Sequence, residues 1–126
     1  MKSTTIIKSI IVGVGLLTFA SCTDDVVYPY VPDPTIPVLF SADIIPIFES
    51  NCISSGCHNG TVAPDLRASV AYDALWTGGY INTDVPEQSN LYLWMTEANG
   101  PMPPLGGNAT NNATVLQWIV QGALNN

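Results

Sequence analysis

Residues 52–60 read CISSGCHNG and contain the feature on which the fold depends. Cys52 and Cys57 lie five positions apart, and His58, the only histidine of the 126-residue chain, follows directly. Thiols and imidazoles are the side chains that most often bind metals or form covalent links to cofactors. We therefore expect this short stretch to be the chemical centre of a small domain.

Three kinds of site fit these residues. In an exported protein a disulfide between Cys52 and Cys57 would close a loop, but it leaves the adjacent histidine unexplained. Structural zinc has four ligands, so Cys52, Cys57 and His58 would need a carboxylate or a water as the fourth. The third is covalent haem, because Cys-x-x-Cys-His is the attachment pattern of haem c. The spacing here is two residues longer, and the turn-forming residues 54–56 would supply the necessary bulge.

A haem iron held by His58 needs its second protein ligand from another residue type, since no other histidine is present. Two methionines of the exported chain are available. Met95 lies in a predicted helix, where methionine usually fills the core. Met102 lies in NGPMPPLGG (99–107), and the prolines on both sides would hold its thioether at a fixed place. We favour Met102 as the ligand and keep Met95 as the alternative.

The N-terminus has the three parts of an export signal. Lys2 and Lys8 precede or flank the apolar run IIVGVGLL (10–17), and TFASC follows. The apolar run is shorter than the roughly 20 residues that span a bilayer. The small residues before Cys22 resemble a lipobox, which predicts a signal peptide over 1–21 and a lipidated Cys22. We expect a membrane-anchored bacterial lipoprotein facing the periplasm or the cell surface.

Residues 22–40 are rich in proline and have neither helical nor strand periodicity. Such a stretch favours extended polyproline II structure, at about 3.1 Å per residue. We interpret it as a spacer between the lipid bilayer and a domain that covers residues 41–126.

Charge limits the partners of the chain. The formal net charge is −7, and removal of the signal peptide leaves Arg67 as the only strong base against ten acidic residues. Nucleic-acid binding requires a basic face that neutralises phosphates. Nucleic acid is therefore excluded as a partner, whereas a basic protein partner is permitted; the alternative is simply a soluble acidic surface.

Two helices are predicted in the first half of the domain. SADIIPIFESN (41–51) has apolar residues on one helical face, with Ser41 as the candidate N-cap. SVAYDALW (69–76) begins at a candidate cap, Ser69, and ends at the glycine pair 78–79.

Two more helices are predicted in the second half. SNLYLWMTE begins at Ser89, and NATVLQWIVQGAL begins at a candidate cap, Asn112, and ends at Gly122. The expected buried stripe of the last helix is Val115, Leu116, Ile119 and Val120. No segment has a strand pattern, so the fold class is all-α. A domain of this size usually needs a metal or cofactor to support its core.

Together these residues resemble class I cytochromes c, in particular the short type attached to bacterial membranes. The matching segments cover nearly all of 41–126 and are PIFESNCISSGCH (46–58), APDL (63–66), GPMPP (100–104) and LQWIVQGA (116–123). The resemblance implies about four helices around one haem c, thioether links at Cys52 and Cys57, iron ligands His58 and Met102, and a first helix that crosses the last.

The resemblance also implies neighbours for the haem. The carbonyl of Pro64 would accept a hydrogen bond from the far nitrogen of the ligand histidine, and Leu66 would pack on the porphyrin. The alternatives are that Pro64 simply forms a turn and that Leu66 is an ordinary core residue. Arg67 follows closely enough to pair with a haem propionate, with an exposed surface arginine as the alternative. Further candidates to line the pocket are Tyr72, Trp76, Tyr80 and Trp94.

The function that follows is electron transfer, without a catalytic residue. Two axial ligands from the protein leave no open iron position, and His/Met ligation suits a carrier. The expected partners are redox proteins at the membrane, and the chain could be a redox module of a larger enzyme complex. Two alternatives stay open, namely a five-coordinate haem that binds small ligands or acts as a peroxidase, and a disulfide-stapled binding module without haem.

Overall fold

The structure, a computed structural model, describes residues 32–54, 56–96, 102–103 and 107–126. The predicted signal peptide, Cys22 and the spacer up to residue 31 lie outside the described residues. All regular elements in the described ranges are helical and none is a strand, so the all-α expectation is confirmed. None of these helices is long and apolar enough to cross a bilayer.

The domain opens with a helical run over residues 40–53. It consists of a π-helical turn, a short α-helix (α1) and a second π-helical turn, with bounds Phe40–Ile44, Ile45–Phe48 and Glu49–Ile53. Ser41 as N-cap is wrong, because Leu39 is the N-cap, the run begins at Phe40 and no side chain caps it. The carboxylate of Asp43 instead accepts from the amide of Leu39 itself at 2.7 Å.

The middle of the chain contains α2 (Ala71–Thr77), a 3₁₀ turn (Pro86–Gln88) and α3 (Asn90–Thr96). Ser69 does not cap α2, since Val70 precedes the helix and no side chain caps it. The predicted stop at the glycine pair is confirmed, with Gly78 as C-cap. α3 begins at Asn90, one residue after the predicted start at Ser89. The hydroxyl of Ser89 accepts a hydrogen bond from the Asn82 amide at 2.9 Å, which ties the start of α3 to the preceding loop.

The last helix, α4, covers Ala109–Val120. Asn112 as its cap is wrong: the cap is Asn108, whose side chain accepts from the amides of Thr110 and Asn111 at 2.9 and 3.2 Å. The predicted stop at Gly122 is confirmed by its φ of +97°, a conformation that favours glycine. The buried stripe is Val115, Trp118 and Ile119, whereas Val120 is exposed and Leu116 is half-buried.

The two ends of the domain pack on each other. The Phe40 and Trp118 rings lie 5.2 Å apart, so the first helical run contacts α4 as expected. The side chain of Gln121 accepts from the Val38 amide at 2.8 Å and donates to the Ile36 carbonyl at 2.9 Å. Ordered packing therefore begins before residue 41, with Val38 and Phe40 buried in the core.

One hydrophobic core joins the first run, α2, α3 and α4. Its largest fully buried side chains are Trp118, Phe48, Ile44, Leu75, Ile119 and Val115. Complete burial of such a side chain stabilises a fold by about 1.5–3 kcal/mol. This core fixes α3, α4 and the first run around the cavity described next.

Candidate functional site

A cavity of about 330 Å³ lies between the end of the first helical run, the loop that follows it, α3 and the start of α4. Its lining is mostly apolar, and among the described residues it contains no Lys, Arg, Asp or Glu. His58, Cys52 and both candidate methionines belong to the lining. The structure therefore brings together residues that are 50 positions apart in the chain and that the sequence singled out.

The loop that carries the two cysteines closes on itself. The His58 amide donates to the Cys52 carbonyl at 3.2 Å, and the Val62 amide donates to the Cys57 carbonyl at 3.0 Å. Gly56 has a φ of +79°, so the turn between the cysteines uses a left-handed residue at one of the positions proposed for the bulge. Ser55 lies outside the described residues.

The two cysteines differ in their surroundings. Cys52 lines the cavity and packs against the core, whereas Cys57 is exposed and does not belong to the lining. Burial raises the pKa of the Cys52 thiol to about 11, because desolvation disfavours the thiolate. No disulfide joins Cys52 to Cys57.

The ring of His58 is oriented by a backbone carbonyl. Its Nδ1 lies 3.0 Å from the carbonyl oxygen of Pro64. Because a carbonyl only accepts, Nδ1 carries the hydrogen and Nε2 keeps its lone pair. The backbone carbonyl of His58 in turn accepts from the Leu66 amide at 2.8 Å. These contacts leave Nε2 as the ring nitrogen that is available to a ligand in the cavity.

Leu66 and Pro64 both line the cavity. Leu66 is 3 % exposed and belongs to the hydrophobic core. Both residues therefore belong to the same cavity lining as His58.

The two methionines line the cavity from α3 and from the segment at residues 102–103. Met95 is 6 % exposed and packs in the core from α3. Met102 is half-buried, and its amide donates to the carbonyl of Trp94 at 2.7 Å, which holds it beside the same helix. Each thioether is a soft ligand type in the same cavity lining as His58.

Four asparagines add polar groups to the lining, and the sequence analysis missed them. They are Asn51, Asn108, Asn111 and Asn112. The Asn112 side-chain nitrogen donates to the Met95 carbonyl at 3.2 Å, which links α4 to α3. Its Oδ1 is buried without a hydrogen-bond partner. The only signal for these residues is the abundance of asparagine at 108–112, which also fits helix capping.

Arg67 lies outside the lining of the cavity. Its Nη2 donates to the Asp65 carboxylate at 2.6 Å, and its side chain is 57 % exposed. Hydrogen bonds from Arg67 lower the pKa of Asp65, and the same bonds raise the pKa of Arg67. The guanidinium is thus engaged by a carboxylate of its own loop.

The four aromatic candidates separate into two pairs. Tyr80 and Trp94 line the cavity, and Trp94 is half exposed at 51 %. Tyr72 donates to the Ala123 carbonyl at 3.1 Å, and its ring contacts those of Phe40 and Trp76. Tyr72 therefore links α2 to the end of the chain, away from the cavity.

In the part of the chain that the structure describes, no three His, Cys, Asp or Glu side chains converge to hold a metal ion. The zinc alternative is thus left without a cluster of protein ligands there. In comparisons with protein-family models, with curated proteins and with solved structures, nothing matches this chain.

Proposed function

We propose that this chain is a monohaem c-type cytochrome that carries electrons. Residues 41–126 would form a class I cytochrome c-like domain, with haem c linked to Cys52 and Cys57 and iron ligated by His58 and Met102. The observation that carries the proposal is the His58 ring, which a backbone carbonyl orients at the wall of an apolar cavity that both methionines also line.

The residues of the cavity fit a haem. A histidine that donates from one nitrogen to a carbonyl offers the other nitrogen to a metal, and the hydrogen bond fixes its tautomer. The apolar lining suits a porphyrin, and Cys52 is in the lining while Cys57 lies in the same closed loop. A volume of about 330 Å³ is within the range of small-molecule and cofactor sites.

When bound, the haem supplies a one-electron Fe(II)/Fe(III) couple. His58 and a methionine of the lining would be the two protein ligands that hold the iron, so that it would serve as a carrier and not as a substrate site. The apolar lining would exclude water from the iron. The described lining residues carry no Lys, Arg, Asp or Glu, so they would add no charge of their own beside the iron. These roles describe a carrier, which is why we propose no catalytic residue.

Met102 is the better candidate for the sixth ligand. Met95 already fills the core between α3 and its neighbours, whereas Met102 is half-buried and its backbone is fixed by the Trp94 carbonyl. A methionine in the core, such as Met95, usually contributes packing. Its replacement by leucine keeps nearly the same volume and should therefore be tolerated.

The proposal includes a membrane anchor. Lipid on Cys22 and the proline-rich spacer would keep the domain near redox partner proteins at a bacterial membrane, on the periplasmic side or at the cell surface. Labelled fatty acid should enter the unaltered protein but not Cys22→Ser. Equal incorporation in both would contradict the lipid anchor and would leave the proposal for the haem unaffected.

The experiment is expression with a cytochrome c maturation system, followed by pyridine haemochrome and absorption spectra of the oxidised and reduced protein. We expect covalent haem and the weak long-wavelength band of methionine-ligated ferric iron. Met102→Leu should lose that band and bind carbon monoxide when reduced. Met95→Leu is the matched control, because it also replaces a thioether with a similar volume, and it should keep the band.

Each other result has a definite meaning. Carbon monoxide binding by the unaltered reduced protein would favour the five-coordinate alternative, and loss of the band only in Met95→Leu would move the ligand to α3. Protein without covalent haem would overturn the proposal and leave the disulfide-stapled module.

A further inference from the structure

The Pro64 carbonyl that orients His58 needs a support of its own. Pro64 has no amide hydrogen, so its backbone cannot be held by donation. The Leu66 amide anchors the chain two residues later to the His58 carbonyl, at 2.8 Å. Between these two points lies Asp65, whose peptide link to Pro64 contains the carbonyl in question. The conformation of Asp65 therefore sets where that carbonyl points.

Asp65 is fixed by Arg67. Its carboxylate accepts from the Arg67 backbone amide at 3.1 Å, from Nε at 3.0 Å and from Nη2 at 2.6 Å. Planar guanidinium groups bind carboxylates with a geometric precision that an ammonium does not provide. Both the backbone and the side chain of Arg67 thus hold the one carboxylate.

The pair also lies beside Gly60, in the first half of the loop. A Cβ atom placed on Gly60 would lie 3.1 Å from Arg67 Nη2 and 3.3 Å from Asp65 Oδ2. The ion pair therefore lies where a side chain at residue 60 would need space, and the φ of +98° at Gly60 also favours glycine. The absence of a side chain at Gly60 leaves room for the ion pair beside the turn after His58.

The edge of the Arg67 guanidinium that carries Nε and Nη2 faces Asp65. Arg67 is the only Lys or Arg after Lys8, it donates from these two nitrogens to the Asp65 carboxylate, and it does not line the cavity. The role that its position supports is mechanical rather than the direct pairing with a cofactor carboxylate.

We infer that the Asp65–Arg67 ion pair is a brace that holds the Pro64 carbonyl against the His58 ring and thereby tunes the reduction potential of iron bound to His58. Arg67 and Asp65 are positioning residues, because they act through Pro64 and touch neither the ring nor the cavity. A hydrogen bond to a carbonyl makes the ring a more basic ligand, which favours ferric iron. Loss of the brace should weaken that bond and raise the potential. The inference about the potential rests on the proposed haem, whereas the brace itself does not.

The test uses the full chain, and its key variant is Asp65→Ala/Arg67→Ala. This double change removes the brace and keeps the net charge, whereas each single change would add a charge effect on the potential. Arg67→Lys keeps the charge but replaces the planar guanidinium with an ammonium, which cannot make the same paired hydrogen bonds. It provides the test if the double variant fails to fold. Asp73→Ala, an exposed carboxylate on α2, controls for a distant surface charge.

Two readouts are needed. One is the midpoint potential, and the other is solvent exchange of the His58 Nδ1 hydrogen, followed by NMR in the reduced or the haem-free protein. We expect a higher potential and faster exchange in the double variant, with a smaller change of both in Arg67→Lys. A surface salt bridge that only adds stability would change neither.

The outcomes separate the two proposals. An exchange rate equal to that of the unaltered protein would overturn the brace, whatever the potential does. Faster exchange with an unchanged potential would keep the brace and overturn its tuning role. If the chain attaches no haem, the exchange measurement still decides the brace, while the proposed electron-transfer function fails by its own test.

Discussion

The two sides of the cavity are built in different ways. On the side of His58, the loop is held by hydrogen bonds between residues close in sequence. His58 donates to the carbonyls of Cys52 and Pro64, and its own carbonyl accepts from the Leu66 amide. On the methionine side, Met95 and Met102 are positioned by α3 and by the start of α4, which meet through the bond from Asn112 to the Met95 carbonyl at 3.2 Å.

The difference shows which part of a site is independent of the rest of the fold. The His58 side closes a loop with several hydrogen bonds, each of which spans eight residues or fewer. Short loops cost little entropy to close, so this side needs little help from distant residues. The methionine side depends on the packing of two helices against the core, and changes in that packing should alter it first.

The largest effect should come from Leu66→Ala. Leu66 is the core anchor of the His58 side, and truncation of a buried leucine costs about 2–5 kcal/mol of unfolding free energy. Urea unfolding followed by circular dichroism measures this loss. Val62→Ala is the matched control, because Val62 lies in the same loop but is 49 % exposed. Equal losses in the two variants would show that Leu66 does not anchor the loop.

The next effect should come from Asn108→Ala on the methionine side. Loss of an N-cap costs about 1 kcal/mol, with a range of about 0.5–2 kcal/mol. Thermal unfolding of Asn108→Ala and Asn111→Ala provides the comparison, since Asn111 is the neighbour whose side chain caps nothing. A larger loss in Asn111→Ala would contradict the start of α4 at Ala109.

The start of α4 also shows what the sequence can and cannot predict. Asparagine occurs at 108, 111 and 112, and each is a good N-cap, so local chemistry does not choose among them. The choice depends on the face that packs inward, and burial of Trp118 with Val115 and Ile119 turns Val120 toward solvent. The helix and its end at Gly122 were predictable; its first residue and its exact buried face were not.

The candidate site divides along the same line. The motif CISSGCH and the single histidine identified the His58 side, because their chemistry is local in sequence. Arg67 could not be assigned from the sequence, since a guanidinium two residues after Asp65 can pair with that carboxylate or reach a cofactor. The contact with Asp65 is the one that the structure shows. The link between Gln121 and residues 36–38 has no local signal either, because 83 positions separate Gln121 from Val38.

The smallest expected effect concerns pH and separates the two sides. Burial raises the pKa of Cys52 to about 11 from its ordinary value of 9.0, so the folded state prefers the neutral thiol. This contribution to stability is complete below pH 9.0 and is lost as the pH rises through about 11. In protein without attached haem, the unfolding free energy should therefore fall across that interval, and modestly, because Cys52 is half-buried rather than enclosed.

Cys52→Ser provides the comparison, since its hydroxyl does not titrate in this interval. Denaturant unfolding at several alkaline pH values should show a weaker decline in Cys52→Ser than in the unaltered chain. A thioether link at Cys52 removes the same proton, so attachment of haem should abolish the difference. The described residues on the methionine side, Met95, Met102, Asn108 and Asn112, carry no titratable group. An equal alkaline decline in both proteins would mean that the thiol is not desolvated, and that the wall of the cavity at Cys52 is open to water.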